Sequence, residues 1–116
     1  LEDGFASVEH MRREYDMRRR FLVRSFNDLG LRCFEPRGAF YAFPSVEGTG
    51  LTGDEFARRL LEEEHVAVVP GDAFGARGKY HIRCSYATGM EQLTEAVERI
   101  ARFLKRHKEN APEKKK

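Results

Sequence analysis

A chain of 116 residues, 41% of them hydrophobic and 34% charged, can enclose one core and is too short for two ordinary domains. No apolar run approaches the ~20 residues of a membrane helix and no secretory signal is recognised, so neither a membrane partner nor an exported protein is expected. A formal charge of +2 does not by itself call for a nucleic acid or another polyanion. Cys33 and Cys84 lie far apart with no Cys-x-x-Cys pair, the pattern of buried structural thiols in a reducing, cytoplasmic compartment.

The chain opens Leu1-Glu2-Asp3-Gly4-Phe5, without a methionine and directly in helix-like sequence, and reads as a piece of something longer. Val8, Met11, Tyr15, Leu22, Phe26 and Leu29 recur at steps of three, four and seven, which predicts one long helix starting after Ser7 and stopped by Gly30. Arg12, Arg13, Arg18, Arg19, Arg20 and Arg24 occupy its other faces among Glu9, Glu14 and Asp16; a solvated or domain-facing surface accounts for them better than a nucleic-acid stripe. Leu31 to Phe34 and Ala39 to Phe43 are β-prone runs around Glu35-Pro36-Arg37-Gly38, so a hairpin is expected there, ended by Pro44.

Gly48, Gly50 and Gly53 mark a loop that leads to Thr52-Gly53-Asp54-Glu55, a capping box ahead of Phe56, Leu60 and Leu61 and of a helix about three turns long. Val66-Ala67-Val68-Val69 reads as a buried strand cut by Pro70-Gly71. After a loop punctuated by Gly71, Gly75 and Gly78 comes His81-Ile82-Arg83-Cys84-Ser85-Tyr86, a strand with a guanidinium at its centre. A second box, Thr88-Gly89-Met90-Glu91, opens a helix whose stripe is Leu93, Val97, Ile100 and Leu104. Residues 109–116 lack apolar periodicity and should form a solvated, frayed tail.

The order helix, two strands, helix, two strands, helix predicts an α/β fold of the two-layer α+β kind, a three- to four-stranded sheet covered on one face by helices. By strand alternation Ile82, Cys84 and Tyr86 point to one side and His81, Arg83 and Ser85 to the other. An exposed arginine on a solvated sheet face is the plain reading of Arg83. A site for an anion is the alternative, because a planar fork of donors matches a carboxylate in two parallel hydrogen bonds.

Other chemistries find little support. His10, His65, His81 and His107 are scattered without metal-ligand spacing, and Gly71-x-x-x-Gly75-x-x-Gly78 lacks the lysine and hydroxyl of a phosphate loop. Arg37-Gly38-Ala39-Phe40-Tyr41-Ala42-Phe43 approaches an RNA-recognition strand with one residue missing. In register only Tyr41 of the two stacking aromatics stands in place, and a one-residue slip turns every side chain over. An RNA-binding α/β module and a ligand-free interaction domain remain as alternatives.

Pro36-Arg37-Gly38-Ala39-Phe40-Tyr41-Ala42-Phe43, Val66-Ala67-Val68-Val69-Pro70-Gly71-Asp72-Ala73-Phe74-Gly75 and His81-Ile82-Arg83-Cys84-Ser85-Tyr86-Ala87-Thr88, taken in order, resemble the C-terminal small domain of class I pyridoxal-phosphate-dependent aminotransferases, the aspartate aminotransferase family. The resemblance extends over nearly everything from Val8 to His107. It implies a small domain over residues 1–108, with residues 1–30 as the long linking helix, and an amino-acid:2-oxo-acid aminotransferase as the parent enzyme. In that parent Arg83 would bind the substrate α-carboxylate, Phe40 would line the substrate entrance, and Asp72 to Phe74 would form a loop near the cleft. Pyridoxal 5'-phosphate, a large domain and a homodimeric partner are implied with it. The family's Schiff-base lysine, the aspartate paired to the pyridine nitrogen and the main phosphate-binding groups have no counterpart among these residues, and Lys79, Lys105 and Lys108 lie in the wrong contexts. The chain alone is therefore expected to be catalytically silent.

Overall fold

Gly30, in the left-handed region at φ 86°, ends the first helix where the sequence places its stop. In the computed structural model, which describes residues 2–34, 41–71, 78–86 and 88–110, helix α1 runs Glu2–Asp28. It begins well before Ser7, since serine is tolerated inside a helix that continues past it. Leu22 and Phe26 are fully buried, whereas Met11, expected on the same stripe, is 51% exposed. The arginine-rich faces are laced within the helix: Arg18 donates to Glu14 at 3.2 Å and Arg19 to Asp16 at 2.9 Å. Side-chain spacings of three and four residues account for both pairs.

The expected hairpin takes a different form. Among the described residues 31–34 form no strand, and the pairing that remains is a bond from the Ser45 N–H to the Arg32 carbonyl at 2.8 Å. The Asn27 side chain explains why: its amide Nδ2 donates to the Cys33 carbonyl at 2.9 Å, and its Oδ1 accepts from the Cys33 N–H at 3.0 Å. Both main-chain groups of Cys33 are thereby taken up by a side chain instead of a ladder. The turn at Glu35 to Gly38 lies outside the described residues.

Strand β1 (Tyr41–Ala42) pairs instead with β3 (Ile82–Ser85), which is also paired with β2 (Val69–Pro70), giving the order β1-β3-β2 with both neighbours antiparallel. Val66 to Val69, expected as a continuous buried strand, is only half covered. Val66 and Val68 are half-buried and Ala67 and Val69 exposed. An edge position is the reason, since the run has a paired neighbour on one side only and ends in a proline that cannot donate to a ladder. The core face of the sheet carries Ala42, Ile82 and Cys84, which pack with Leu22 and Phe26 of α1 and with Phe56 and Leu60 of helix α2 (Gly53–Glu64). Helix α3 (Met90–Asn110) adds Leu93, Ile100 and Phe103.

Helix α2 starts with the reciprocal cap that its sequence specifies: Thr52 Oγ1 accepts from the Glu55 N–H, and Glu55 Oε1 accepts from the Thr52 N–H. Its Leu61, placed on the apolar face by spacing, is 51% exposed. Helix α3 begins at Met90, with the Leu93 N–H bonded to the Gly89 carbonyl, one residue later than a box on Thr88 implies. It continues to Asn110, so Glu109 and Asn110 belong to the helix and not to the tail; residues 111–116 lie outside the described ones.

A polar clamp joins α2 to α3. Glu64, 6% exposed, accepts from Arg102 at 2.8 Å and from Arg106 at 2.9 Å, and its carbonyl accepts from Arg99 at 2.9 Å. The Arg102 and Arg106 hydrogen bonds hold the Glu64 carboxyl down at about 2, against an ordinary value of 4.5. Beside this clamp the Phe103 ring meets Phe56 edge-on at 5.1 Å, with the Arg59 guanidinium 5.4 Å from its centroid.

Two predictions follow from these contacts. The Glu64 carboxyl is lowered by folding, so its contribution to stability is fully present above pH ~4.5 and is lost as the pH falls towards 2. Glu64→Gln should therefore lower the urea midpoint at pH 7 and flatten its fall between pH 4.5 and 2; an unchanged acid slope would refute the assignment. Gly53 lies against the His81 carbonyl so closely that an added Cβ would overlap it, whereas at Gly48 nothing lies within 4 Å. Gly53→Ala should cost about 1–3 kcal/mol in urea unfolding and Gly48→Ala less than about 0.5.

Candidate functional site

The central strand decides where its charged residue goes. Ile82, Cys84 and Tyr86 are buried, Arg83 is half-buried and Ser85 exposed, so alternation divides β3 into a core row and an outer row as the sequence implies. Burial, and then the neighbouring Cys33, raise the Cys84 thiol to about 11. Both cysteines are free and buried, which makes them packing residues behind Arg83.

The register with β1 defines what surrounds the arginine. Tyr41 pairs with Ser85, Ala42 with Cys84 and Ser45 with His81, and the Ile82 N–H bonds the Pro44 carbonyl at 3.1 Å. One unbroken register thus runs from Tyr41 to Ser45 and sets Phe43 directly across from Arg83. On the other side Val69 is the cross-strand partner of Arg83. Tyr41, Phe43, Val69, His81 and Arg83 therefore share the face of the sheet opposite the buried row.

Within that face two diagonal contacts run in the same sense. The Arg83 guanidinium carbon lies 4.7 Å from the Tyr41 ring centroid, and the His81 ring stacks on Phe43 at 4.8 Å with 12° between the planes. The right-handed twist of an antiparallel pair shortens one of its two diagonals, and both contacts lie along that diagonal. His81 Nδ1 is buried and, among the described residues, has no hydrogen-bond partner. Just past the end of β3, Tyr86 links the strand to α1, its ring meeting Tyr15 edge-on at 6.5 Å; Arg18 lies 5.5 Å from the centroid of that same Tyr15.

Of the two residues singled out for substrate contact, Arg83 occupies the outer face and Phe40 lies outside the described residues, as do Asp72 to Phe74. Tyr41, Phe43 and His81 were not singled out for a substrate role. Their signal was present, since all three carry odd numbers in strands that alternate, but only the pairing register shows that they surround Arg83. Lys79, Lys105 and Lys108 are exposed, with Lys79 resting over the ring of its neighbour Tyr80. Among the described residues no group of three or more His, Cys, Asp or Glu could hold a metal ion, and no helix is long and apolar enough to cross a membrane.

Known proteins resemble this chain in sequence and in fold. The sequence model of the family described as "Aminotransferase class I and II" matches residues 1–100. YugH of Bacillus subtilis strain 168, named as an aminotransferase, is 52% identical over 104 residues, covering 90% of this chain and 27% of that protein. The aspartate aminotransferase of Pyrococcus abyssi is 47% identical over 107 residues, 92% of this chain and 28% of the relative. The crystal structure of an aromatic aminotransferase from Pyrococcus horikoshii OT3 superimposes with a TM-score of 0.87 at 48% identity, over 93% of this chain and 29% of that one. The chain thus spans little more than a quarter of the length of the relatives it matches. A family match over most of the sequence and a shared fold at high identity lead to one conclusion: this chain belongs to the class I and II aminotransferases.

Proposed function

We propose that the chain is the C-terminal small domain of a pyridoxal-phosphate-dependent amino-acid:2-oxo-acid aminotransferase, with residues 1–30 as its linking helix, and that Arg83 binds the α-carboxylate of the substrate. The observation that carries the reading is the position of Arg83. It stands at the centre of the middle strand, on the face turned away from the core, with a paired strand on each side. A guanidinium on so constrained a backbone fixes the direction of a bound carboxylate, and with it the orientation of the amino acid. Phe40, three residues before Phe43, is the proposed lining of the substrate entrance. Relatives named for aspartate, for aromatic amino acids and for N-acetyl-LL-diaminopimelate suggest those three substrate classes. A homodimeric cytoplasmic enzyme is the proposed setting.

Pyridoxal 5'-phosphate would supply the electron sink for amino-group transfer. The residues described here do not make a place for it. A covalent anchor needs a lysine in an enclosed site that lowers its proton affinity, and Lys79, Lys105 and Lys108 are all exposed. The cofactor and the proton-transfer chemistry are accordingly assigned to the large domain, and the work of this chain is to bind and orient. An RNA-binding role draws nothing from this geometry, since Tyr41, the one stacking aromatic in register for it, already has Arg83 over its ring.

The test is kinetic, in the full-length enzyme. Arg83→Ala should cost about 2–5 kcal/mol in kcat/KM for amino acids with a free α-carboxylate, roughly 30-fold to several thousand-fold, and only about 1 kcal/mol in stability. Arg83→Lys should recover part of the loss, because it keeps the charge without the bidentate fork. Amines lacking the carboxylate should respond to neither change. Equal losses for both kinds of substrate would mean that Arg83 acts through folding, and the reading would fall.

A further inference from the structure

We infer that Tyr41 is a positioning residue for the proposed carboxylate site: its ring is the platform that holds the Arg83 guanidinium in the orientation a substrate carboxylate must meet. The inference rests on the reading of Arg83 given above. Arginine is a long side chain with several rotatable bonds, and a strand fixes only its backbone. Something must select one rotamer if the fork is to be aligned before substrate arrives. The Tyr41 ring stands on the short diagonal of the twisted β1–β3 pair, with the guanidinium carbon 4.7 Å from its centroid.

A cation seated over a ring is attracted through the π face, so the contact restrains the guanidinium without requiring any of its N–H groups as donors. Tyr41 is itself well held: its strand neighbour Ala42 is fully buried in the core, and its cross-strand partner is Ser85, whose short side chain leaves the ring room to lean towards Arg83. The parallel stack of His81 on Phe43 lies along the next diagonal of the same ribbon. Preorganisation of this kind acts on carboxylate binding, hence on KM, more than on the chemical step.

The measurement is the amino-group half-reaction of the full-length enzyme, followed by cofactor absorbance. Its probes are L-aspartate and L-phenylalanine, with the counterparts that lack the α-carboxylate, β-alanine and 2-phenylethylamine. Tyr41→Leu should lower kcat/KM for the amino acids about 3- to 30-fold, chiefly through KM, and leave the amines within about twofold. Tyr41→Phe keeps the ring face and should stay within about twofold of wild type on all four. In an Arg83→Ala background Tyr41→Leu should add nothing, because its effect passes through the guanidinium. If the leucine variant does not fold, Tyr41→Met provides the same loss of ring.

The outcomes separate the two claims. Selective loss in Arg83→Ala with no loss in Tyr41→Leu would overturn the role of Tyr41 and leave the carboxylate site standing. A Phe variant as impaired as Leu, or equal losses on acids and amines in the Tyr41 variants, would also overturn it. Unselective loss in Arg83→Ala, or a wild-type enzyme that turns over neither amino acid, would remove the site itself and this inference with it.

Discussion

Everything on the candidate site depends on one strand being pinned from both sides. Strand β3 lies between two antiparallel neighbours, and its inward row of Ile82 and Cys84 is packed beneath the helices. A slip of one residue would bring Arg83 into that core and turn Ile82 and Cys84 outward, at a cost in buried apolar surface and an uncompensated charge that no local rearrangement offsets. The core therefore specifies the direction of Arg83 as firmly as it specifies its own packing. An arginine in an apolar strand, which would be a liability in a sheet covered by helices on both faces, is here the consequence of a sheet that the helices, among the described residues, cover on one face.

The helices serve that constraint in different ways. Helix α1 supplies Leu22 and Phe26 to the underside of the sheet and meets the end of β3 through Tyr15 and Tyr86. Helices α2 and α3 are bound to each other by the Glu64 carboxylate and two arginines, a contact in which a nearly buried acid is compensated by charge and by several hydrogen bonds. Single surface ion pairs such as Arg58 to Asp54 contribute little by comparison, because both side chains are more than half exposed and the pairing competes with water. Gly53 completes the joint, bringing the first turn of α2 against the His81 backbone at the start of the central strand.

The division of labour proposed for the enzyme has a physical counterpart in the way the charges are distributed. The arginines of α2 and α3, and Arg18 and Arg19 of α1, are engaged with carboxylates of their own or adjacent helices, which makes them part of the scaffold. Around Arg83 the described cross-strand neighbours are aromatic on the β1 side and aliphatic on the β2 side. Such walls lower the local dielectric and strengthen any charge-assisted bond made at the guanidinium edge.

Local chemistry was sufficient for much of this from the sequence alone. The capping box of Thr52 and Glu55, the stop at Gly30, the inward row of β3 and the family resemblance carried by its motifs are each written in adjacent residues, because caps, turns and strand alternation are short-range properties. Tertiary structure decided the rest. Asn27 captures the backbone of Cys33 and replaces the hairpin ladder, and the edge position of β2 uncovers a run that composition alone reads as buried. The proximity of Tyr41 to Arg83, 42 positions apart, was likewise invisible, since it is created by cross-strand register and sheet twist, and these follow from how the whole core packs.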